Sequence, residues 1–529
     1  MKRTLVALLF LLAGCAGERA DFDIVIDGAT IVDGSGQPAF SGDIGIRGER
    51  IVAIGDLADA SAGRRIEGDG LVAAPGFIDI HSHATGGSIE GSAVVQRPDA
   101  ENYIRQGVTT VLGGQDGSSM GDVGAFLAYL DENPAAVNVG VFFGHGSLRA
   151  RVLGEDDVRA STESINEMIR QVEQAMQDGA FGLSSGLEYT PGAFADVDEV
   201  ATLAGPVADH DGMYISHIRD EGGWLLESVD EVLEVGRRSG ARVQITHHKV
   251  IGKGRWGMAS ESLAMIDEAR AQGVDASSDQ YPYTASSTGL TILFPTWAKD
   301  GGFDALVQRL QDPTQRERIR QDVIDHITVE RGADPSTIVA ARCGFDASFN
   351  GKSLADILVD RGLGVTVPNA ADVAMELVEA GSCSGVFHSM SDEDVRTIMR
   401  HPWTSISSDG GIPAMDEGVP HPRNYGAFAR VLGRYVRQDS VLTLEEAVHK
   451  MSGLPAERLN LADRGLLKEG ALADITLFDP ATIIDTAEFG NPHHFAQGVV
   501  HVLVGGVPVL DLEAMTGMRP GKALRHRSH

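Results

Sequence analysis

The sequence predicts an α/β chain: a (β/α)8 barrel, a small β-sandwich built from both chain ends, and an inserted subdomain between barrel strands 7 and 8. Three observations predict it. Eight short candidate strands expected to be buried, at 77–83, 108–113, 137–143, 180–184, 213–217, 242–247, 274–281 and 404–409, are separated by amphipathic stretches such as 164–177 and 224–238. Strand-then-helix alternation is the pattern of a parallel sheet with helices outside it. Short β-rich runs at 23–26, 30–32, 43–46 and 50–54 find counterparts at 473–478 and 499–504, so the two ends are expected to close into one unit. The interval from Gly289 to Gly385 is too long for a loop and carries helix and strand patterns of its own.

In chain order, Lys2 and Arg3 lead into an apolar run from Leu5 to Leu12, which is too short to span a bilayer. It ends in Leu12-Ala13-Gly14-Cys15, which resembles the lipobox of bacterial lipoproteins. Residues 1–15 are therefore expected to be a lipoprotein signal segment with Cys15 lipidated and the protein exported, facing the periplasm. Residues 21–73 form the first part of the β-sandwich and 74–288 the main part of the barrel. The inserted subdomain, a possible lid, covers 289–385; the barrel resumes over 386–465, and 466–529 complete the sandwich and a C-terminal tail.

Composition narrows the partners. The 529 residues carry 75 acidic and 44 basic side chains, a formal charge of -31, which disfavours a nucleic-acid groove or an anionic bilayer as partner. Membrane contact is expected only through a lipid at Cys15. No segment of the sequence specifies an oligomeric state. After export two cysteines remain, Cys343 and Cys383; one disulfide or two buried thiols both fit.

Chemistry enters at the strand ends. His81 and His83 close the first barrel run two residues apart, so both imidazoles can face one ion. His217 and His247 end the fifth and sixth runs, and Asp409 ends the eighth. In a (β/α)8 barrel the carboxyl ends of the strands carry the active site. Neutral imidazoles suit zinc, and a carboxylate beside a metal-activated water can accept its proton. Ser184 and Ser185 sit in Gly-Leu-Ser-Ser-Gly, which lacks the Gly-x-Ser-x-Gly spacing of a serine nucleophile elbow.

Beyond the histidines, local motifs recur in order: Gly107-Val108-Thr109-Thr110-Val111, Gly182-Leu183-Ser184-Ser185-Gly186-Leu187-Glu188-Tyr189, Ser216-His217-Ile218-Arg219, Thr246-His247-His248-Lys249, Tyr281-Pro282-Tyr283, Ser408-Asp409-Gly410 and His421-Pro422-Arg423. Together they resemble the D-aminoacylases, or N-acyl-D-amino-acid deacylases, of the amidohydrolase superfamily. The resemblance covers nearly the whole chain after the signal segment. It implies a hydrolase of carbon–nitrogen bonds other than peptide bonds, acting on a small N-acyl-D-amino acid to give a carboxylate and a free D-amino acid. It also implies Asp409 as general base and acid, with Lys249, Tyr281 and Arg423 binding the substrate carboxylate and Tyr189 and Ser287 lining the pocket.

One departure matters. Many D-aminoacylases carry a metal-binding cysteine in Gly-Asn-Cys-Gly after the second strand, where this chain reads Gly114-Gln115-Asp116-Gly117. An anionic ligand is then needed from elsewhere, and Glu188 is favoured as a bridging carboxylate, with Asp116 as the fallback and a merely structural Glu188 still open. The expected ligand set is His81, His83, Glu188, His217, His247 and Asp409, holding one or two divalent ions, zinc first, with two favoured. The alternatives are a related dipeptidase or cyclic-amide hydrolase of the dihydroorotase and hydantoinase kind, a metal-dependent deaminase, which the carboxylate-binding set disfavours, and a non-catalytic binding lipoprotein, which would have no use for both ligands and Asp409.

Overall fold

The structure is a computed structural model that describes residues 20–527; the leader 1–15 and Cys15 lie outside the described residues. Eight parallel strands make the barrel: β1 (Phe77–Asp79), β2 (Val108–Gly113), β3 (Asn138–Val141, resumed at Phe143–Gly144), β4 (Gly182–Gly186), β5 (Met213–His217), β6 (Arg242–Ile245), β7 (Ala276–Gln280) and β8 (Thr404–Ile406). Ladders run β1-β2-β3 and β3-β4-β5-β6-β7-β8. The ring closes where β8 meets β1, through a parallel bridge between Ser82 and Gly410, with Asp409 N donating to His81 O at 2.9 Å and His83 N to Gly410 O at 2.6 Å. The closing contacts are made by the candidate ligands' own backbones.

Each helix has a local cause. Thr162–Asp178 starts at Ser161, whose hydroxyl accepts from Ser164 N, and stops at Gly179, which takes φ 109°. Such a cap contributes about 1 kcal/mol, and glycine meets the left-handed stop without a Cβ penalty. Leu225–Ser239 ends the same way at Gly240 and buries Val229, Val232, Leu233 and Val235 against the sheet. Covered on both faces, the barrel strands are continuously buried rather than alternating.

Strands from both chain ends hydrogen-bond into one nine-stranded sheet, joined where Val72–Pro75 pairs antiparallel with Ile475–Phe478. It has an apolar core of its own, including Ile26, Ile44, Ile46, Ile475 and Leu477. Between β7 and β8 sits the insertion. Its antiparallel sheet orders Ala285–Gly289, Cys383–His388, Ile338–Cys343 and Lys352–Ser353, so it begins a few residues before 289 and ends a few after 385. Helices Gly302–Gln311, Pro313–Glu330 and Val367–Glu379 cover a second core. Cys343 and Cys383 stand directly opposite each other in this sheet and are joined as a disulfide, which decides the alternative left open by the sequence.

Candidate metal centre

Several strands stop sooner than the apolar runs suggest. β6 ends at Ile245 rather than at residue 247, and β8 at Ile406 rather than at 409. The reason is conformational: His247 and Asp409 have φ of 35° and 49°, values that non-glycine residues rarely adopt. Asp116 does the same at φ 52°. Such residues cluster where a surrounding structure imposes a conformation for function, and here three of them meet at one end of the barrel.

Two groups of side chains converge there around Asp116. In the first, His83 Nε2 lies 3.2 Å from Asp116 Oδ2 and 3.0 Å from Asp409 Oδ1, and His81 Nε2 lies 3.5 and 3.6 Å from Asp116 Oδ1 and Asp409 Oδ1. In the second, His247 Nε2 is 3.3 Å from Asp116 Oδ1 and 2.8 Å from His217 Nδ1. His81 is fully buried, whereas the His83 ring is 41 % exposed at the mouth. Both ring nitrogens of His81, Asp116 Oδ1 and Asp409 Oδ1 are buried with no hydrogen-bond partner. Buried polar atoms are almost always satisfied, so three of these atoms, His81 Nε2, Asp116 Oδ1 and Asp409 Oδ1, which face one another, fit a divalent cation between them, while His81 Nδ1 faces Asp279 Oδ1 at 3.8 Å.

The electrostatics point the same way. Burial opposes ionisation of Asp116, but His81 and His247 outweigh it and hold its carboxyl well below the usual range. Burial and Lys249 oppose protonation of His247, but Asp116 and Glu221 outweigh them and raise it to about 10. In His83, hydrogen bonds to Asp116 and Asp409 overcome burial and raise it to about 9. Protons here occupy a site built for positive charge.

Glu188 is elsewhere. Its Oε2 meets His217 Nε2 at 2.8 Å, on the side of that ring away from Asp116, and it approaches none of the other three histidines as a ligand neighbour. Glu188 instead forms a third ligand-type group with His217 and Glu221, so the acid that the other histidines surround is Asp116, the fallback of the sequence reading. Backbone packing places Asp116 there: its carbonyl lies 2.3 Å from where a Cβ on Gly186 would stand, so the loop after β2 lies across the end of β4. The loop is held by Gln115 Nε2, which donates to Ile80 O and Leu112 O, both at 3.0 Å.

The carboxylate-binding candidates are brought together, each already engaged. Arg423 Nη1 pairs with Asp409 Oδ2 at 2.7 Å, and its Nη2 donates to Ser287 O at 3.3 Å. Lys249 Nζ pairs with Glu221 and lies 2.7 Å from His247 Nδ1. The Tyr281 ring lies between them, 5.7 Å from Lys249 Nζ and 4.9 Å from the Arg423 guanidinium. Tyr189 packs on His217 with ring centroids 4.6 Å apart, and its hydroxyl accepts from Thr288 Oγ1. A cavity of about 470 Å³ opens from this centre, lined by His83, Asp116, Tyr189, Ser287 and Arg423. His248, adjacent to His247, turns away to Ser262. His145 pairs with Glu199 outside the centre.

Two buried acids escaped the sequence reading. Glu221 Oε1 stands 3.1 Å from His247 Nδ1 and pairs with Lys249; it lies past the end of β5, where no strand periodicity marks it. Asp279, on β7, accepts from His247 N at 2.9 Å, Ser407 Oγ at 2.8 Å and Gln244 Nε2 at 2.6 Å, tying the ends of β6 and β8 together from below. The strand around Asp279 reads Ala-Ser-Ser-Asp-Gln, so no contrast with apolar neighbours marks it in the sequence.

Comparison with known proteins bears on this geometry. The amidohydrolase family profile matches residues 66–510. The chain is 37% identical over 525 residues to an N-acyl-D-glutamate deacylase of Alcaligenes xylosoxydans xylosoxydans, covering 95% of this chain and 96% of that protein. It is 36% identical over 526 residues to a D-aminoacylase of the same organism, with 95% and 97% covered. Among solved structures, the N-acyl-D-glutamate deacylase of Bordetella bronchiseptica, complexed with zinc and a phosphonate that mimics the tetrahedral intermediate, superposes with a TM-score of 0.81 at 32% identity, covering 95% of this chain and 99% of that one. A D-aminoacylase structure described by its binuclear metal centre, with one-metal activation and second-metal attenuation, gives 0.81 at 33% identity, covering 95% and 100%.

Proposed function

This chain belongs to the amidohydrolase family, and from that premise we propose that it removes the acyl group from N-acyl-D-amino acids, using one or two zinc ions, two favoured. The observation that carries the reading is the convergence of four histidines on Asp116, with orphaned buried ligand atoms, beside Lys249, Tyr281 and Arg423. The likeness to deacylases over nearly the whole length supports it.

His81, His83 and Asp409 would hold one position, His217 and His247 the other, and Asp116 would be shared between them in place of Glu188. An ion bound there supplies Lewis acidity, lowering the pKa of water and polarising the acyl carbonyl. Arg423 fixes Asp409 Oδ2 at 2.7 Å and leaves Oδ1 facing His83 Nε2 at 3.0 Å, on the side of the metal positions. Oδ1 is the atom that takes the proton of the attacking water and returns it to the leaving nitrogen. Lys249, Tyr281 and Arg423 orient the substrate by its α-carboxylate, a bidentate task suited to a guanidinium. Tyr189 and Ser287 form the wall of the cavity next to the reacting bond.

We also propose that the mature protein is an exported lipoprotein anchored through Cys15. The leader sequence supports it, as does the pairing of Cys343 with Cys383, since disulfides persist in oxidising compartments. Cys15→Ala should move the protein from the membrane to the soluble fraction.

For the activity, zinc-replete protein is incubated with matched N-acetyl-D- and N-acetyl-L-amino acids and free amine is assayed. Release from the D series alone is expected. Equal release from both series, or from neither, would refute the assignment.

A further inference from the structure

The relatives leave one matter undecided: a deacylase of N-acyl-D-glutamate and a D-aminoacylase match this chain at 37% and 36% identity. The chain's own cavities say more. Between the barrel mouth and the insertion lies a second chamber of about 210 Å³, reaching from Glu188 and Glu221 to Lys299 and Arg331 of the insertion. Arg331 also lines the narrow cleft that touches His217, His247, Lys249 and Asp409, so the chamber adjoins the reaction centre.

Lys299 and Arg331 are buried, at 9% and 4% exposure. Neither has a carboxylate partner among the described residues. Lys299 Nζ makes one long contact, 3.5 Å to Thr291 O. Arg331 Nη1 donates to Ser389 Oγ at 3.0 Å, its Nε has no partner, and its guanidinium stands 4.9 Å from the Phe387 ring centre. Buried charges are normally paired, because desolvation without a counter-ion is costly. Two buried cations without an ion-pair partner, lining one open chamber, therefore leave a place for an anion.

Glu188 attracts both cations from across the chamber, and Glu330 and Glu221 attract Arg331, but none of these acids forms an ion pair with either. Glu188 is held by His217, Glu221 by Lys249 and His247, and Asp220 accepts from Gly222 N at 2.7 Å. Glu330 is half-buried at the rim and pairs with neither cation. Burial holds Lys299 below the ordinary lysine range, which an arriving anion would reverse.

We propose that this chamber is a specificity subsite for a second carboxylate on the substrate, held by Lys299 and Arg331; the inference rests on the deacylase reading above. The carboxylate has two possible sources, the side chain of an acidic D-amino acid or the far end of a dicarboxylic acyl group. The first would make the chain selective for N-acyl-D-glutamate or N-acyl-D-aspartate.

The test compares kcat/KM within isosteric pairs: N-acetyl-D-glutamate against N-acetyl-D-glutamine, and N-succinyl-D-leucine against N-butyryl-D-leucine. In the wild type the acid is expected to lead its neutral partner at least tenfold in one pair, and that pair identifies the source. Lys299→Met and Arg331→Met should each reduce this ratio tenfold or more, mainly through KM. Glu330→Gln should raise it. The melting temperature of Lys299→Met should stay level or rise, because an unpaired buried charge is removed, and this variant alone decides if Arg331→Met fails to fold. Cleavage of neutral D-substrates without an acid preference, or a ratio unmoved by Lys299→Met, overturns the subsite and leaves the deacylase reading standing. If no N-acyl-D-amino acid is cleaved, both fall together.

Discussion

The loops after β2 and β4 each carry one acid to the same end of the barrel, yet the two acids have different surroundings. Asp116 lies within 3.5 Å of His81, His83 and His247 at once, while Glu188 touches His217 alone from its outer side. The longer reach of glutamate would favour Glu188, but backbone placement overrides reach. The β2 loop turns through a left-handed residue at Asp116 and crosses the end of β4, where only Gly186 permits the approach. An acid is thus delivered among three histidines by loop conformation, with the side chain completing only the last few ångströms.

The strongest way to sharpen this contrast is to separate holding from proton transfer. Asp409 faces Asp116 across His81 and His83, and its Oδ1, which Arg423 does not engage, suits proton transfer. Asp409→Asn should keep most of the bound metal while turnover drops about 10²–10⁴-fold; undiminished turnover would put the base elsewhere. Next in size is Glu221, which supports His247 from behind. Glu221→Gln should weaken metal affinity about 10–100-fold, as loss of a partner behind a ligating histidine commonly does. Competition with a chelator measures it, and unchanged affinity would reduce Glu221 to a partner of Lys249.

A smaller effect concerns pH. In the metal-free protein His247 is raised to about 10 from an ordinary 6.5, so the stability it contributes is present below about pH 6.5 and is lost as pH rises towards 10. The exposed ring of His83, raised to about 9, adds less because solvent screens it. Metal must displace these protons. The melting temperature of chelated protein should therefore fall between pH 6.5 and 9.5 while zinc affinity rises over the same interval, with proton release seen by calorimetry in buffers of different ionisation enthalpy. A flat affinity profile would mean that the histidines are already neutral.

Much of this was legible in the sequence because period and order carry it. The alternation of short candidate strands with amphipathic stretches revealed all eight barrel strands, β2 and β5 to the residue, and the split sheet and insertion followed from where β-rich runs recur. His81, His83, His217, His247 and Asp409 could be read because each sits just past an apolar run, where a parallel barrel gathers its strand ends. The positions of Asp116 and Glu221 could not, since both lie on loops whose course is set by contacts distant in sequence: Gln115 to Ile80, Asp116 over Gly186, Glu221 beneath Lys249. The strand ends at β6 and β8 were misjudged for a related reason. His247 and Asp409 keep the composition of a strand end but take left-handed backbone angles.

The central claim is that Asp116, not Glu188, is the shared anionic ligand, and metal content tests it most directly. Wild type, Asp116→Asn, Asp116→Cys and Glu188→Gln are saturated with zinc, desalted and analysed for zinc per chain. The account predicts close to two ions in wild type and in Glu188→Gln, one or fewer in Asp116→Asn, and recovery in Asp116→Cys, where a thiolate restores the charge. Metal lost from Glu188→Gln and retained in Asp116→Asn would contradict it.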